Sequence, residues 1–274
     1  MNRLFFTALF SVILSIGSAG SAQAELNRKV NCDAGQSLAQ ALEASDGYGG
    51  TLTITVSGTC EESVTIDRDR VRIVGEDGAT IIGRVLVFGP TNVDLRNLAI
   101  TGPDEGVRIR GGRARIIGCS ISENEGVGVV VVDGAWVIVR DSDISDNAAL
   151  GILTETAQVQ MRGGRVAGNA EGGIRADRQG SIVLLGDAVV EDNPQSGIQL
   201  WLHSTLDLTE QSRVADNWDL DIYAVEDSAI RVSSGEVSVT GVIACDDYES
   251  SFRIVEGAED ADIDLSQVYC TDFN

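Results

Sequence analysis

Ile121-Ser-Glu-Asn124-Glu-Gly-Val-Gly128-Val129 is followed by Ile144-Ser-Asp-Asn147-Ala-Ala-Leu-Gly151-Ile152, and the phrase then returns three more times. The later copies are Val166-Ala-Gly-Asn169-Ala-Glu-Gly-Gly173-Ile174, Val190-Glu-Asp-Asn193-Pro-Gln-Ser-Gly197-Ile198 and Val214-Ala-Asp-Asn217-Trp-Asp-Leu-Asp221-Ile222. Successive asparagines are 23, 22, 24 and 24 residues apart. A fixed period of this length describes a stacked array in which each unit buries its apolar side against the next.

Between the asparagines the unit holds no helical run. Trp136-Val-Ile-Val-Arg140, Gln158-Val-Gln-Met161 and Ser181-Ile-Val-Leu-Leu185 are rich in strand-forming residues and short enough for strands. Three strands of about five residues with three corners fill one turn of roughly 22 residues. Neighbouring turns then pair in parallel about 4.8 Å apart. The pattern lacks the Leu-x-x-Leu-x-Leu of a leucine-rich horseshoe, so the expected fold is all-β, a three-sided parallel β-helix. Asn tolerates the left-handed conformation of a sharp corner, and stacked amides can hydrogen-bond along the axis. Asn124, Asn147, Asn169, Asn193 and Asn217 are therefore expected to form a structural ladder with no catalytic role, with the glycines as further corner residues.

Outside the repeat the sequence changes character. Arg3 precedes an apolar run from Leu4 to Ile16 and a small-residue stretch ending Ser21-Ala22-Gln23-Ala24. This describes a secretory signal over residues 1–24, the run being too short for a spanning helix of about 20 apolar residues. The expected organisation is an N-terminal cap over 25–63, coils over 64–241 and a C-terminal cap over 242–274. Within Ser37-Leu-Ala-Gln-Ala-Leu-Glu-Ala44, Leu38, Ala41 and Leu42 have helical spacing, which predicts a short helix closing the first coil. Export permits disulfides. The spacing favours two local pairs, Cys32 with Cys60 and Cys245 with Cys270, leaving Cys119 as a buried thiol.

The net charge is −22. Such a surface repels nucleic acid and anionic lipid at long range, and disfavours polyanionic sugars. No nucleic-acid partner is expected, and no membrane association after signal cleavage. The expected location is secreted, either periplasmic or extracellular.

Asn31-Cys32 through Ser37-Leu38, followed by Val56-Ser-Gly-Thr-Cys60-Glu-Glu-Ser-Val64-Thr-Ile66, resembles the N-terminal cap of secreted right-handed β-helix repeat proteins of the pectin lyase-like superfamily. The Asn-x-x-x-Gly-Ile/Val coils resemble the same group. The resemblance implies a right-handed solenoid and admits many functions, from lyases, polygalacturonases, methylesterases and epimerases to proteins without catalysis. The Asn-Thr-Asp, Gly-His-Gly and Arg-Ile-Lys series of polygalacturonases are absent, as is the Asp-Pro-His-Glu of alginate epimerases.

Geometry then directs attention to the strand after each Asn corner. If the residue after each Gly points inward, alternation brings Arg108, Val130, Leu153, Arg175, Gln199 and Tyr223 outward in one column, and Glu155, Asp177 and Trp201 in the next. Arg175, Gln199, Trp201 and Tyr223 form the expected ligand platform. An indole packs on the apolar face of a pyranose while polar groups orient hydroxyls. Glu155 with Asp177 is the expected acid–base pair should catalysis occur, and His203 with Asp227 the other proton-transfer candidate. A second acidic column, Glu123, Asp146, Asp192 and Asp216, would be relieved by Ca²⁺, but without a complete ligand loop solvated acids are the stronger account of it. Asp260-x-Asp262-x-Asp264 is a further oxygen-rich stretch that lacks the glycine of a calcium loop.

The first functional reading is non-catalytic binding of a polysaccharide or cell-surface glycan partner. The alternative is a polysaccharide lyase or glycoside hydrolase acting on that outward face, and a third reading is a structural or adhesive solenoid.

Overall fold

The computed structural model describes residues 25–76, 78–89, 92–246 and 249–270. The expected signal, residues 1–24, lies outside them. The chain winds into a right-handed solenoid of three parallel sheets with eleven, ten and ten strands. The first sheet opens with Glu25–Asn31, the second with Thr59–Cys60 and the third with Val64–Ile66. Each strand pairs with its counterpart one turn away: Trp136 stands over Arg113 and beside Gln158, and Val139 lies between Ile116 and Met161.

Alternation drives this winding. In Trp136–Arg140 the inward Val137 and Val139 are fully buried, while Trp136, Ile138 and Arg140 face out. Stacked inward Val, Ile and Leu make one continuous core from Val30 to Cys270. Each side chain buried in this way contributes about 1.5–3 kcal/mol, and β-branched residues lose little rotamer freedom on a pleated strand.

The asparagine ladder forms as expected. Nδ2 of Asn124, Asn147, Asn169 and Asn193 donates to Oδ1 of the next asparagine at 2.8, 2.8, 3.2 and 2.9 Å. Each of those oxygens also accepts the preceding asparagine's backbone N–H. One detail of the expectation is corrected. The left-handed residue is the one before each asparagine: Glu123, Asp146, Gly168, Asp192 and Asp216 have φ between 55° and 66°. The asparagine itself turns inward, where only its amide can satisfy the stacked backbone. The glycine that closes each Asn-x-x-x-Gly, at Gly128, Gly151, Gly173 and Gly197, is likewise not needed for a positive φ. A Cβ on Gly128 would lie 2.7 Å from Asn147 Nδ2 and 2.8 Å from the Gly151 carbonyl oxygen, so close approach of neighbouring coils selects glycine.

The ends are tied differently. Glu25–Asn31 forms the outermost strand of the first sheet, which the sparse apolar pattern of Leu26 and Val30 concealed. The helix Leu38–Glu43 is capped by Ser37, whose Oγ accepts from Gln40 N, and by Glu62 from the next coil, which accepts from Leu38 N at 2.6 Å and from the Ser37 hydroxyl at 2.6 Å. Disulfides join Cys32 to Cys60 and Cys245 to Cys270. From residue 242 on, Ile243–Cys245, Ser251–Ile254, Asp262–Ile263 and Val268–Tyr269 add strands to the same three sheets. Cys119 is buried in the inner column that continues as Ser142, whose Oγ accepts from Cys119 N. Burial pushes its thiol above the ordinary range, which makes it unreactive at neutral pH. Among the described residues no helix is long and apolar enough to cross a membrane.

Candidate functional site

The outward face of the third sheet carries the side chains that alternation places there. Arg175, Gln199 and Tyr223 are register partners on consecutive strands, and Glu155 pairs with Asp177 in the next column. Trp201 extends that column, its backbone N–H donating to the Ala176 carbonyl one coil away. Val130 and Gln199 face out yet are 1% and 6% exposed, so the surface here is recessed.

The recess is a cleft of about 360 Å³ lined by Arg175, Gln199, Trp201 and Tyr223, with Gln195, Ser196, Asp219 and Leu220 from the loops that follow the asparagine corners. All four residues of the expected platform therefore converge. Arg175 Nε donates to Gln199 Oε1 at 2.8 Å, and its guanidinium carbon sits 5.4 Å from the centre of the Trp201 ring. The ion pairs of the described residues leave Arg175 without a carboxylate partner, whereas Arg108 is paired with Glu105 and Arg110 with Asp133. The Tyr223 hydroxyl donates to Asp246 at 3.0 Å. Sequence reasoning missed the loop side of the cleft, because Gln195, Ser196, Asp219 and Leu220 vary from copy to copy and carry no periodic signal.

Glu155 and Asp177 lie beside this cleft and do not line it. Glu155 is held by Arg178 at 3.1 Å, and Asp177 Oδ1 is buried without a hydrogen-bond partner among the described residues. His203 and Asp227 sit on the corner after the sheet, where Leu202–His203 and Glu226–Asp227 are two successive left-handed pairs. Their side chains are largely exposed, with His203 Nε2 3.4 Å from Asp227 Oδ2. The corner orients them away from the core, and they approach one another along the axis.

Of the acidic column at the asparagine corner, Asp192 and Asp216 are engaged with arginine, whereas Glu123 and Asp146 have no ion pair among the described residues. Asp192 binds Arg165 and Asp216 binds Arg213, at 2.8 and 2.7 Å, and Glu191 bridges both arginines. Asp264 caps a short turn by accepting from Ser266, which lowers its pKa, and Asp262 accepts from Ser238. The sulfurs of Cys32 and Cys60 lie close to Glu62, but in their disulfide form they have no thiolate to offer a metal, and Glu62 is occupied in capping the helix.

Residues 54–219 match a family described as the right handed beta helix region. Among solved structures, the chain is similar to the pectate lyase Pel9A with a TM-score of 0.61 at 11% identity, over 93% of this chain and 80% of that one. It is also similar to the A-module of the Azotobacter vinelandii mannuronan C-5 epimerase AlgE4, with a TM-score of 0.48 at 12% identity over 86% and 90% of the two chains. For a variant of the periplasmic alginate epimerase AlgG the values are 0.49, 14%, 82% and 77%. At these identities the likeness is one of fold. No curated protein matches the chain.

Proposed function

We propose that this chain, which belongs to the right handed beta helix region family, is an exported protein that acts on a polysaccharide laid along the outer face of its third sheet. The observation that carries this reading is the convergence of Arg175, Gln199, Trp201 and Tyr223 in one recess on consecutive rungs. A glycan lying along the axis would meet the Trp201 indole with its apolar face, and Arg175, Gln199 and Tyr223 with its hydroxyl or acid groups. The use of this fold in a pectate lyase is in keeping with that substrate class. The disulfides at both ends suit an oxidising compartment.

For the chemistry, Glu155 and Asp177 are neighbours across one rung, a spacing of about 4.8 Å. A double displacement at a glycosidic carbon uses two carboxylates roughly 5 Å apart, a separation within reach of side chains on adjacent rungs. Glu155 would attack the anomeric carbon as the leaving oxygen departs with the proton of Asp177, and water, giving its proton back to Asp177, would then displace Glu155 and free the sugar. Incubation with a polysaccharide panel, read for new reducing ends and for unsaturated products, tests this. Glu155→Gln and Asp177→Asn are expected to abolish product while leaving retention on an oligosaccharide array intact. Trp201→Ala is expected to weaken retention at least tenfold, about 1.4 kcal/mol. Unsaturated product that requires His203 would move the chemistry to the corner.

A binding-only reading is favoured by one observation: the carboxylate pair lies outside the cleft. Retention that depends on Trp201 without turnover of any polysaccharide would select it.

A further inference from the structure

Whole-chain charge conceals a division between faces. From its second strand onward the first sheet carries eight outward arginines against two carboxylates, Asp94 and Asp207, in a protein of net charge −22. The arginines are densest where two depressions of about 250 and 180 Å³ adjoin, sharing Asn92, Asp94 and Arg115. We propose that this groove is a binding site for an anionic glycan segment, held through its carboxylate or sulfate groups. It lies on a different face from the third-sheet cleft and does not depend on the function proposed there.

The groove is built around Asp94, which faces out yet is 5% exposed. Arg115 grips it with two bonds of 2.6 and 2.9 Å, and Arg96 and Arg72 approach at 3.1 and 3.4 Å. One carboxylate thus fixes three guanidiniums whose side chains remain 36–51% exposed, leaving two positive charges unbalanced. Arg70, paired with Asp69, flanks one end. At the other, Arg113 has no carboxylate partner among the described ion pairs and lies over Trp136, 5.1 Å from the ring centre.

These features fit a glycan better than a nucleic acid. Arg72, Asp94, Arg115 and Ile138 are register partners on four consecutive rungs, so anchoring points recur about every 4.8 Å, of the order of one sugar ring. Trp136 and Ile138 offer an apolar floor to a ring face, and Asn92 offers its carboxamide to hydroxyls. Guanidinium forks match carboxylate and sulfate oxygens in pairs. The acidic corners around this sheet would repel a densely charged phosphodiester chain extending past the groove.

The test titrates the purified protein with a galacturonate hexasaccharide, a sulfated hexasaccharide, a neutral glucan hexasaccharide and a single-stranded oligonucleotide, each at low and high salt. One or both anionic hexasaccharides should bind, more weakly as salt rises, and the tighter of the two identifies the acid group. In protein already carrying Trp201→Ala, so that the third-sheet cleft contributes little, Arg113→Glu should weaken that binding at least tenfold, which separates this site from the cleft. The proposal is overturned if neither anionic glycan binds, if binding is indifferent to Arg113→Glu, or if the oligonucleotide binds more tightly than both. Should Arg113→Glu melt early, Arg113→Gln replaces it: a severalfold loss of binding supports the site, and undiminished binding overturns it.

Discussion

The inner asparagine column and the outer column Arg175–Gln199–Tyr223 run through the same coils, yet they obey different rules. Inside, one residue type recurs from Asn124 to Asn217, because each rung presents the next with the same backbone groups at the same distance. Outside, every rung changes identity, because nothing in the stacking requires a particular side chain there. Monotony along the axis marks what holds the solenoid together, and variety marks where it meets something else. The Asp94 cluster stands between the two cases, an outward position that has acquired an interior's demands.

That contrast can be broken first at the ladder. In Asn169→Ala, Asn147 loses the acceptor of its backbone N–H and Nδ2, and Asn193 Oδ1 loses a donor. Unmatched buried groups cost about 1–3 kcal/mol each, so a loss of about 4 kcal/mol is expected in urea unfolding. Asn124→Ala should cost about half as much, since Asn124 Oδ1 has no partner among the described residues. Equal losses at the two positions would mean that the amides do not act as a chain. Gly173→Ala comes next: the new Cβ would meet the Gly197 carbonyl oxygen at 2.5 Å and Val190 Cγ1 at 2.7 Å. Overpacking of this kind costs about 1–3 kcal/mol, and an unchanged denaturation midpoint would show that the coils can separate to admit it.

Corner strain gives a smaller effect of opposite sign. Thr156 is β-branched and holds φ at 48°. A left-handed residue costs roughly 1–2 kcal/mol, and glycine loses about 0.5–1 kcal/mol in the unfolded chain's favour. Thr156→Gly should therefore raise stability by about 0.5 kcal/mol, and a clear loss would refute strain at this corner.

The smallest effect concerns acid. Burial alone would raise the Asp69 pKa, but hydrogen bonds from Asn92 and Arg70 outweigh it and hold the carboxyl below its ordinary value. A folded-state value below the unfolded one means stability that is fully present above about pH 3.9 and lost as pH falls through the lower folded value. Asp69→Asn should therefore lower stability slightly at pH 7 and flatten the curve below about pH 4, where the two proteins converge. A slope identical to that of the unmodified protein would remove Asp69 from the acid response.

The period, the three strands per turn, both disulfide pairs and the outward placement of Arg175, Gln199, Trp201 and Tyr223 were legible in the sequence because each follows from a spacing or from alternation. The left-handed corner was visible as an acidic column, but it reads as a charge pattern, since Asn has the better-known tolerance for that conformation. The first strand was not legible, because Glu25–Asn31 has only one neighbouring coil and correspondingly few apolar positions. The arginine groove was hidden by arithmetic: summing charge over the chain erases the separation that folding creates between strands and corners. Arg72, Asp94 and Arg115, spaced close to one turn apart, were the available clue.

Asp221 gives the ladder a direction. It stands where the repeat otherwise has glycine, is 1% exposed, and accepts from Asn217 Nδ2 through Oδ1 and from Gly241 N through Oδ2. A carboxylate only receives, so the relay of amides stops there as a sentence stops at a period. At the opposite end Gly102 leaves no room for another amide, since a Cβ there would lie 2.8 Å from Gly83 N. A whole coil copied in between Asn147 and Asn193 would find matching neighbours above and below. The same coil spliced after Asp221 would face a group with nothing to give, so lengthening by duplication is open in the middle of this molecule and closed at its tail.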